Sequence, residues 1–236
     1  MAALALPLER AHLVLNDPVA DLPVVVITGG QGGLGRALAA VFATGWRVLA
    51  PGRKELDVIS EASVAAYFEA LPRLDLLVAN AGAIDDQPLA RMTPESWDRI
   101  VGVNLGGAFL TARAALPRLR ERAGQILFIG SRAGRQGGTG QEAYAAAKAG
   151  IVGFAQSLAR EYGADGVRCN VVLPGFLETP LTAGLPAAAQ ARARAIHVLG
   201  RLNTPEETAR AVAFLATLAN VSGQVFQLDS RIDRWL

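Results

Sequence analysis

The chain has 236 residues, of which 51% are hydrophobic and 19% are charged. This length and composition fit a single α/β domain with a large core. The net charge is +2 and no block of like charge occurs, which argues against a nucleic-acid partner. The single cysteine excludes an intramolecular disulfide and a cysteine-based metal cluster.

The cysteine and the two histidines give no sign of a metal site. Cys169 lies in an apolar run and is expected to be a buried thiol. His12 and His197 belong to no ligand-spaced motif, so we interpret them as surface or loop residues and predict no metal site. The first residues are apolar but few, lack a basic region and soon reach Glu9. We therefore predict neither a signal peptide nor a membrane partner, and a cytoplasmic enzyme.

Residues 1–22 form an N-terminal extension ahead of the domain, which we place at 23–236. The extension could pack across the domain or at a partner subunit, and disorder is the alternative. The domain begins with a β-branched run at 23–28, typical of a buried parallel strand, followed by the glycine-rich turn 28–35 and a helical pattern. Such glycines let the backbone approach a pyrophosphate at a helix N-terminus. A P-loop would need Lys and Ser/Thr where Arg36 and Ala37 stand.

The exit of the second strand, within residues 45–53, bears on the choice of nucleotide. An acid there would pair with a ribose diol, whereas a base would suit a 2′-phosphate. The exit carries Arg53 and Lys54, with Glu55 as the nearest acid. This favours NADP(H) over NAD(H), the alternative being two solvent-exposed bases.

The middle of the chain continues the alternation of helices and strands. A short helix is predicted over 61–71 and a buried strand over 74–79, ending in small residues that leave room for a cofactor. Thr93 and the following proline cap a long helical stretch to Arg122. Its buried Asn104 must be hydrogen-bonded, and we expect it to bend the helix or hold a water.

Ser131 and the helix predicted over 141–162 carry the chemistry. Ser131 ends an apolar strand, where open α/β sheets place their ligands. Tyr144 and Lys148 are four residues apart and share a helical face. Bringing a phenol pKa from ~10 to ~7 needs ~4 kcal/mol, much of which a nearby ammonium can supply. The alternative is a solvated helix face, although Lys148 is one of only two lysines.

The rest of the chain completes the fold. A strand over 167–173 is followed by the loop-rich segment 176–200, which suits a mobile lid, then by a helix over 204–218 and a last strand over 223–229. The alternation predicts one doubly wound, mostly parallel sheet with helices on both faces.

Together these residues resemble the short-chain dehydrogenase/reductase family over about residues 23–229. Four residues with separations of 27, 13 and 4 positions match its catalytic tetrad: Asn104, Ser131, Tyr144 and Lys148. Segments 174–179 and 199–207 look most like 3-oxoacyl-[acyl-carrier-protein] reductases. The resemblance implies a Rossmann-type fold and interconversion of a ketone and an alcohol with a nicotinamide cofactor.

The resemblance also implies individual roles. Tyr144 would protonate the substrate oxygen, Ser131 would hydrogen-bond it, Lys148 would hold the nicotinamide ribose and lower the phenol pKa, and Asn104 would position a relay water. Asp57 and Val58 would border the adenine. The implied cofactor-binding set is Thr28, Gly29, Gln31, Gly33, Leu34, Gly35, Arg53, Asp57, Val58, Asn80, Ala81, Gly82, Tyr144, Lys148, Pro174, Gly175 and Thr179.

The chain departs from the family pattern at three places. Only three residues separate Arg53 from Asp57, where the family usually has a full helix, so we expect a trimmed sheet edge and a more open adenine pocket. Gly32 stands where many NADP-dependent members place a base. The tail from Asp229 lacks the common terminal glycines, in a region that often joins subunits. A homo-oligomer, dimer or tetramer, is still the expectation.

Three functions follow from this interpretation. The first is an NADP(H)-dependent ketoreductase acting on a carbonyl substrate, with an acyl-carrier-protein or CoA 3-oxoacyl thioester as candidate. The second is a dehydrogenase of another small or alicyclic alcohol, and the third a non-catalytic dinucleotide-binding sensor. A carrier protein would need a basic patch near the cleft. Arg118, Arg120 and Arg122 are candidates for it, ordinary solvated arginines being the alternative.

Overall fold

A computed structural model describes residues 22–177, 179 and 187–232, without the side chains of Ala187 and Ala189. The predicted extension therefore lies outside the described residues except for its last position. Within the described part, the chain forms one domain around a single sheet. Apolar side chains pack on both faces of that sheet, in two clusters of buried residues.

Six strands make up the sheet, and every neighbouring pair is parallel. Their spatial order is β2-β1-β3-β4-β5-β6. The strands β1, β3 and β4 are buried along their whole length, as expected for apolar runs covered on both faces. The six are β1 (Val24–Ile27), β2 (Arg47–Leu49), β3 (Leu76–Ala79), β4 (Gln125–Ile129), β5 (Arg168–Leu173) and β6 (Val225–Gln227).

Helices cover both faces of the sheet. The first and last helices pack against each other on one face, while the second, fourth and sixth cover the other. The eight α-helices of the described residues are α1 (Gly33–Phe42), α2 (Glu61–Glu69), α3 (Pro94–Val101), α4 (Gly107–Glu121), α5 (Ala133–Gln136), α6 (Glu142–Tyr162), α7 (Ala187–Ala195) and α8 (Pro205–Ala216). The prediction of a Rossmann-type, doubly wound sheet is confirmed.

The strand order fixes where a ligand binds. From β1 the chain moves outward to β2 and then crosses back to β3 on the other side of β1. In such sheets the two connections diverge and leave a crevice at the carboxyl ends of the central strands. In the described part of the chain β2 is one of the two edge strands, which agrees with the trimmed edge expected from the short segment after Arg53.

Two helical regions differ from expectation. The stretch predicted as one helix to Arg122 is divided by a π-helical turn, Gly102–Gly106, between α3 and α4. Within the segment predicted as a loop-rich lid, α7 is a regular helix rich in alanine, which has the highest helix propensity. The run Pro94–Glu121 is long and apolar enough to cross a membrane by composition alone, but 44% of its most apolar window is buried in the fold. It packs as a core helix.

Candidate active site

A cavity of about 880 Å³ opens at the carboxyl ends of the strands. Of the predicted site residues, only Thr28 does not line it. The cavity is lined by Gly29, Gln31, Gly33, Leu34, Gly35, Arg53, Asp57, Val58, Asn80, Ala81, Gly82, Asn104, Ser131, Tyr144, Lys148, Pro174, Gly175 and Thr179. The predicted nucleotide and catalytic residues therefore share one chamber.

The glycine-rich turn after β1 forms one wall of the cavity. Gly29 has a φ of +64°, a conformation in which glycine is favoured. A Cβ on Gly35 would lie 2.4 Å from the carbonyl oxygen of Gly29, so no side chain fits there. No side chain caps α1, whose N-cap is Gly32, and its first turn contains no acid. The free N–H groups of this helix end can therefore donate hydrogen bonds to phosphate oxygens.

Thr28 lies beneath this wall and joins β1 to β3. Its buried hydroxyl oxygen accepts hydrogen bonds from the backbone N–H groups of Asn80 (3.0 Å) and Ala81 (2.9 Å). The Asn80 amide in turn donates to the Thr28 carbonyl at 2.9 Å. Thr28 thus positions the floor of the cavity and does not line it.

The π-helical turn places Asn104 behind the floor. The side-chain amide is buried and donates to the carbonyls of Ala83 (2.8 Å) and Ile100 (2.9 Å), which confirms that this Asn is hydrogen-bonded. Its Oδ1 has no hydrogen-bond partner among the described residues. A Cβ built on Gly82 would be 3.0 Å from this oxygen and 3.9 Å from Lys148 Nζ. An unused acceptor therefore lies close to the lysine.

Lys148 is only 4% exposed. Its Nζ donates to the carbonyl oxygen of Ile129 at 2.8 Å, at the end of β4, and lies 5.6 Å from the centroid of the Tyr144 ring. Burial lowers the pKa of this ammonium to about 8. Near neutral pH the group is still mainly charged, but the fold holds that charge at a cost in free energy.

Tyr144 lies on the same face of α6, and Ser131 interacts with it from the end of β4. Burial raises the pKa of the Tyr144 phenol, the hydrogen bond with Ser131 lowers it, and the Asp86 carboxylate raises it; the net direction is upward. The expectation of a lowered pKa is therefore not met in this structure. The reason is burial of the phenol, which has the largest influence on its pKa and outweighs the hydrogen bond with Ser131.

The end of the cavity beside Arg53, where the adenosine is expected, is more open. The Arg53 side chain is 79% exposed, and its Nε is 3.5 Å from Asp57 Oδ2. Glu55 turns away because its carboxylate accepts the N–H of Gly52 at 2.8 Å. Val58 is buried, and a Cβ on Gly107 would meet it at 2.7 Å. Lys54 does not line the cavity.

The comparison with known proteins agrees with this geometry. A family model described as "Enoyl-(Acyl carrier protein) reductase" matches residues 25–230. The chain belongs to the short-chain dehydrogenase/reductase family. A 3-oxoacyl-[acyl-carrier-protein] reductase of Escherichia coli (strain K12) is 36% identical, with 87% of this chain and 95% of the relative covered. One of Thermotoga maritima is 35% identical, with 87% and 96% covered. A (3R)-3-hydroxyacyl-CoA dehydrogenase of Mus musculus is 42% identical over 65% of this chain and 60% of the relative.

This short-chain dehydrogenase/reductase is thus an oxidoreductase acting on the CH–OH or C=O group. The three arginines considered for carrier-protein docking lie at the end of α4, near the amino ends of the central strands and opposite the cavity. Each pairs with an acid: Arg118 with Glu121, Arg120 with Asp165 and Arg122 with Asp75. They do not border the cleft of this family member.

Sequence reasoning missed two polar groups at this end of the fold. Arg231 of the tail lines the cavity, and the only sequence signal was the missing terminal glycines. His197, interpreted as a surface or loop residue, lies in the bend after α7 but is 3% exposed. Its Nε2 is 3.8 Å from Asp229. Packing of the tail onto this bend, seen in the hydrogen bond from Val198 N–H to the Ser230 carbonyl at 3.1 Å, accounts for the burial.

Proposed function

We propose that this enzyme is an NADP(H)-dependent ketoreductase that interconverts a carbonyl substrate and its alcohol. The observation that carries the proposal is the meeting of Tyr144, Ser131, Lys148 and Asn104 in one cavity with an uncapped helix end. The walls fit a dinucleotide because the glycine turn brings its backbone to the cavity beside the uncapped N-terminus of α1. When bound, the nicotinamide supplies or accepts the hydride.

The protein's part is to handle the oxygen and its proton. Tyr144 donates its phenolic proton to the carbonyl oxygen, and Ser131 hydrogen-bonds that oxygen and stabilises its developing charge. Since a phenol is protonated at neutral pH, Tyr144 has a proton to donate in the reduction. Lys148 holds the nicotinamide ribose, and the unused Oδ1 of Asn104 accepts from a water that returns protons to the site.

The preference for NADP(H) rests on Arg53. Its guanidinium is exposed at the adenosine end, and Asp57 holds it only at 3.5 Å, so it is available to a 2′-phosphate. Glu55, the acid nearest to Arg53 in sequence at this strand exit, does not line the cavity, because its carboxylate accepts the N–H of Gly52.

We propose a 3-oxoacyl thioester as substrate, carried by acyl-carrier protein or CoA. The support is the similarity to reductases and a dehydrogenase named for those carriers, together with apolar side chains at the cavity, Ile84, Val103, Phe176 and Leu177. A homo-oligomer is proposed from the exposed Phe109 of α4, which stacks edge-on against Phe154 of α6.

The test is oxidation of NADPH and of NADH, followed spectroscopically, with a short 3-oxoacyl thioester and the Tyr144→Phe variant. We expect turnover with NADPH to exceed that with NADH, and the variant to lose about 10³-fold or more in kcat while still binding nucleotide. If the enzyme reduced only another small or alicyclic ketone, that ketone would replace the 3-oxoacyl thioester as the proposed substrate. Nucleotide binding without turnover on a broad ketone panel would favour a sensor and overturn the proposal.

A further inference from the structure

The tail after β6 brings a positive charge back to the active site. Asp229 and Arg231 follow the last strand, and Arg231 lines the same cavity as the tetrad. The Arg231 side chain is only 11% exposed. A guanidinium so deeply placed in a chamber otherwise proposed for a nucleotide and a ketone has no part in the mechanism given above.

A buried carboxylate fixes this arginine. The Asp229 side chain is fully buried; its Oδ2 accepts from Arg231 Nε at 2.6 Å and also from Nη2. Its Oδ1 accepts from the Arg231 N–H at 3.1 Å and from Gln227 Nε2 at 2.9 Å. Burial alone would raise the pKa of Asp229, but the hydrogen bonds from Arg231 and Gln227 hold it below its ordinary value. The pair is therefore ionised and the guanidinium plane is held in one orientation.

The pair stands directly behind the loop after β5. A Cβ built on Gly175 would lie 2.7 Å from Asp229 Cβ, and Gly175 has a φ of +86°. Gly175 belongs to the cofactor-binding set that the family resemblance implies, and it lines the cavity. Arg231 is thus attached to a part of the cavity wall that is expected to contact the cofactor.

Part of the guanidinium is still available. Asp229 engages Nε and Nη2, whereas Nη1 makes no hydrogen bond within the described ranges. Carboxylates and phosphates are the groups that a fixed guanidinium fork binds best. The surplus N–H groups at a cavity wall therefore match an oxyanion better than a neutral ketone.

We propose that Arg231 is a specificity-determining residue that binds an oxyanion in the active-site cavity, either a carboxylate on the substrate or a phosphate of the cofactor. The proposal rests on the function proposed above, since it takes this cavity as the catalytic one. Asp229 positions the guanidinium and offsets part of its positive charge. The site therefore selects its oxyanion by the position of the N–H groups as much as by charge.

The test compares two variants with a matched control. The double variant Asp229→Asn/Arg231→Gln removes both charges together, which avoids leaving a buried charge unpaired; Arg231→Lys keeps the charge but loses the fork. Arg210→Gln removes an exposed arginine from α8, outside the cavity. Thermal unfolding establishes that each variant is folded.

Two measurements distinguish the sources of the oxyanion. The first is the dissociation constant of NADPH and of NADH without substrate. The second is KM and kcat for two ketones of one skeleton, one ending in a carboxylate and the other in its methyl ester. A loss of about tenfold with both nucleotides alike in the double variant identifies a cofactor phosphate. A rise of about tenfold in KM for the ketone that ends in a carboxylate, but not for its methyl ester, identifies a carboxylate of the substrate as the bound oxyanion. A smaller loss is expected for Arg231→Lys, and none for Arg210→Gln.

The proposal is overturned if a folded double variant changes neither constant, or if kcat falls equally for both ketones with no change in binding. It can also fail separately from the proposed function. Should the wild type reduce no ketone, calorimetric titration with pyrophosphate and with malonate takes the place of kinetics. Equal binding of both probes to the wild type and to the folded double variant then refutes the role of Arg231.

Discussion

The two ends of the active-site cavity are built differently. At the catalytic end, Lys148 and Asn104 are almost completely buried and bonded to backbone carbonyls at 2.8–2.9 Å. At the proposed adenosine end, the Arg53 side chain is 79% exposed and its Nε lies 3.5 Å from Asp57 Oδ2. If the proposed function is right, the catalytic geometry is set by buried side chains, whereas the choice of nucleotide depends on a solvent-exposed one.

This difference has an energetic consequence. A buried ammonium costs free energy in the folded state, while an exposed guanidinium costs almost none. Substitutions at the catalytic end and at the glycine turn should consequently change stability as well as binding. Substitutions at the adenosine end should change only binding, and by small factors.

The largest effect is expected at the turn that joins the two ends. In Gly35→Ala, the new Cβ would meet the Gly29 carbonyl oxygen at 2.4 Å and Gly30 Cα at 2.8 Å. These are backbone atoms, so the turn must move away from the phosphate position. We expect nucleotide affinity to fall at least ~100-fold and the free energy of unfolding to fall by about 2–3 kcal/mol. Calorimetry and chemical denaturation measure both.

Gly153→Ala is the matched control, because this glycine is also helical and a Cβ there would contact nothing within 4 Å. It should stabilise the protein by about 0.5–1 kcal/mol and leave nucleotide binding unchanged. If both variants bound nucleotide like the wild type, the turn would not be the phosphate site.

A smaller effect, on stability, is expected when Lys148 is replaced. Lys148→Met removes the buried charge but leaves the Ile129 carbonyl without its 2.8 Å donor. The two terms oppose each other, and we expect a net gain of about 1–2 kcal/mol at pH 7 together with loss of turnover. Denaturant unfolding and the ketone assay measure the two results. A variant that kept its activity would remove Lys148 from the mechanism.

The pH dependence tests the cause of that gain. The folded pKa of about 8 lies below the ordinary value of 10.5, so between these pH values the unfolded chain binds more protons than the folded one. Wild-type stability therefore rises with pH in this window relative to Lys148→Met. The advantage of the variant should be largest below pH 8 and should shrink toward pH 10.5. A constant difference would show that burial of the charge is not its origin.

Local patterns made much of this site predictable. Three features of the site depend on residues near one another in sequence: the glycine turn, the pair Tyr144 and Lys148, and the strand that ends at Ser131. The residues of all three line the cavity as expected. The upward direction of the Tyr144 pKa was not predictable, because burial depends on the whole fold. Arg231 and His197 were missed for a related reason: both positions are set by the return of the tail onto the bend after α7.

The smallest effect is expected at Arg53, and it tests the solvent-exposed end of the cavity. Arg53→Gln removes an exposed charge whose contact with Asp57 is long, so the free energy of unfolding should change by less than ~0.5 kcal/mol. A charge-assisted bond to a 2′-phosphate is worth about 1–1.5 kcal/mol at such a position, so KM for NADPH should rise roughly 5- to 10-fold while KM for NADH stays within about twofold. The rise should diminish with added salt, because the site is exposed to solvent. Arg210→Gln, with the same change in net charge away from the cavity, should leave both constants unchanged. Equal losses with NADPH and NADH would mean that Arg53 acts on a group common to both nucleotides, and the preference for NADP(H) would then have no residue to account for it.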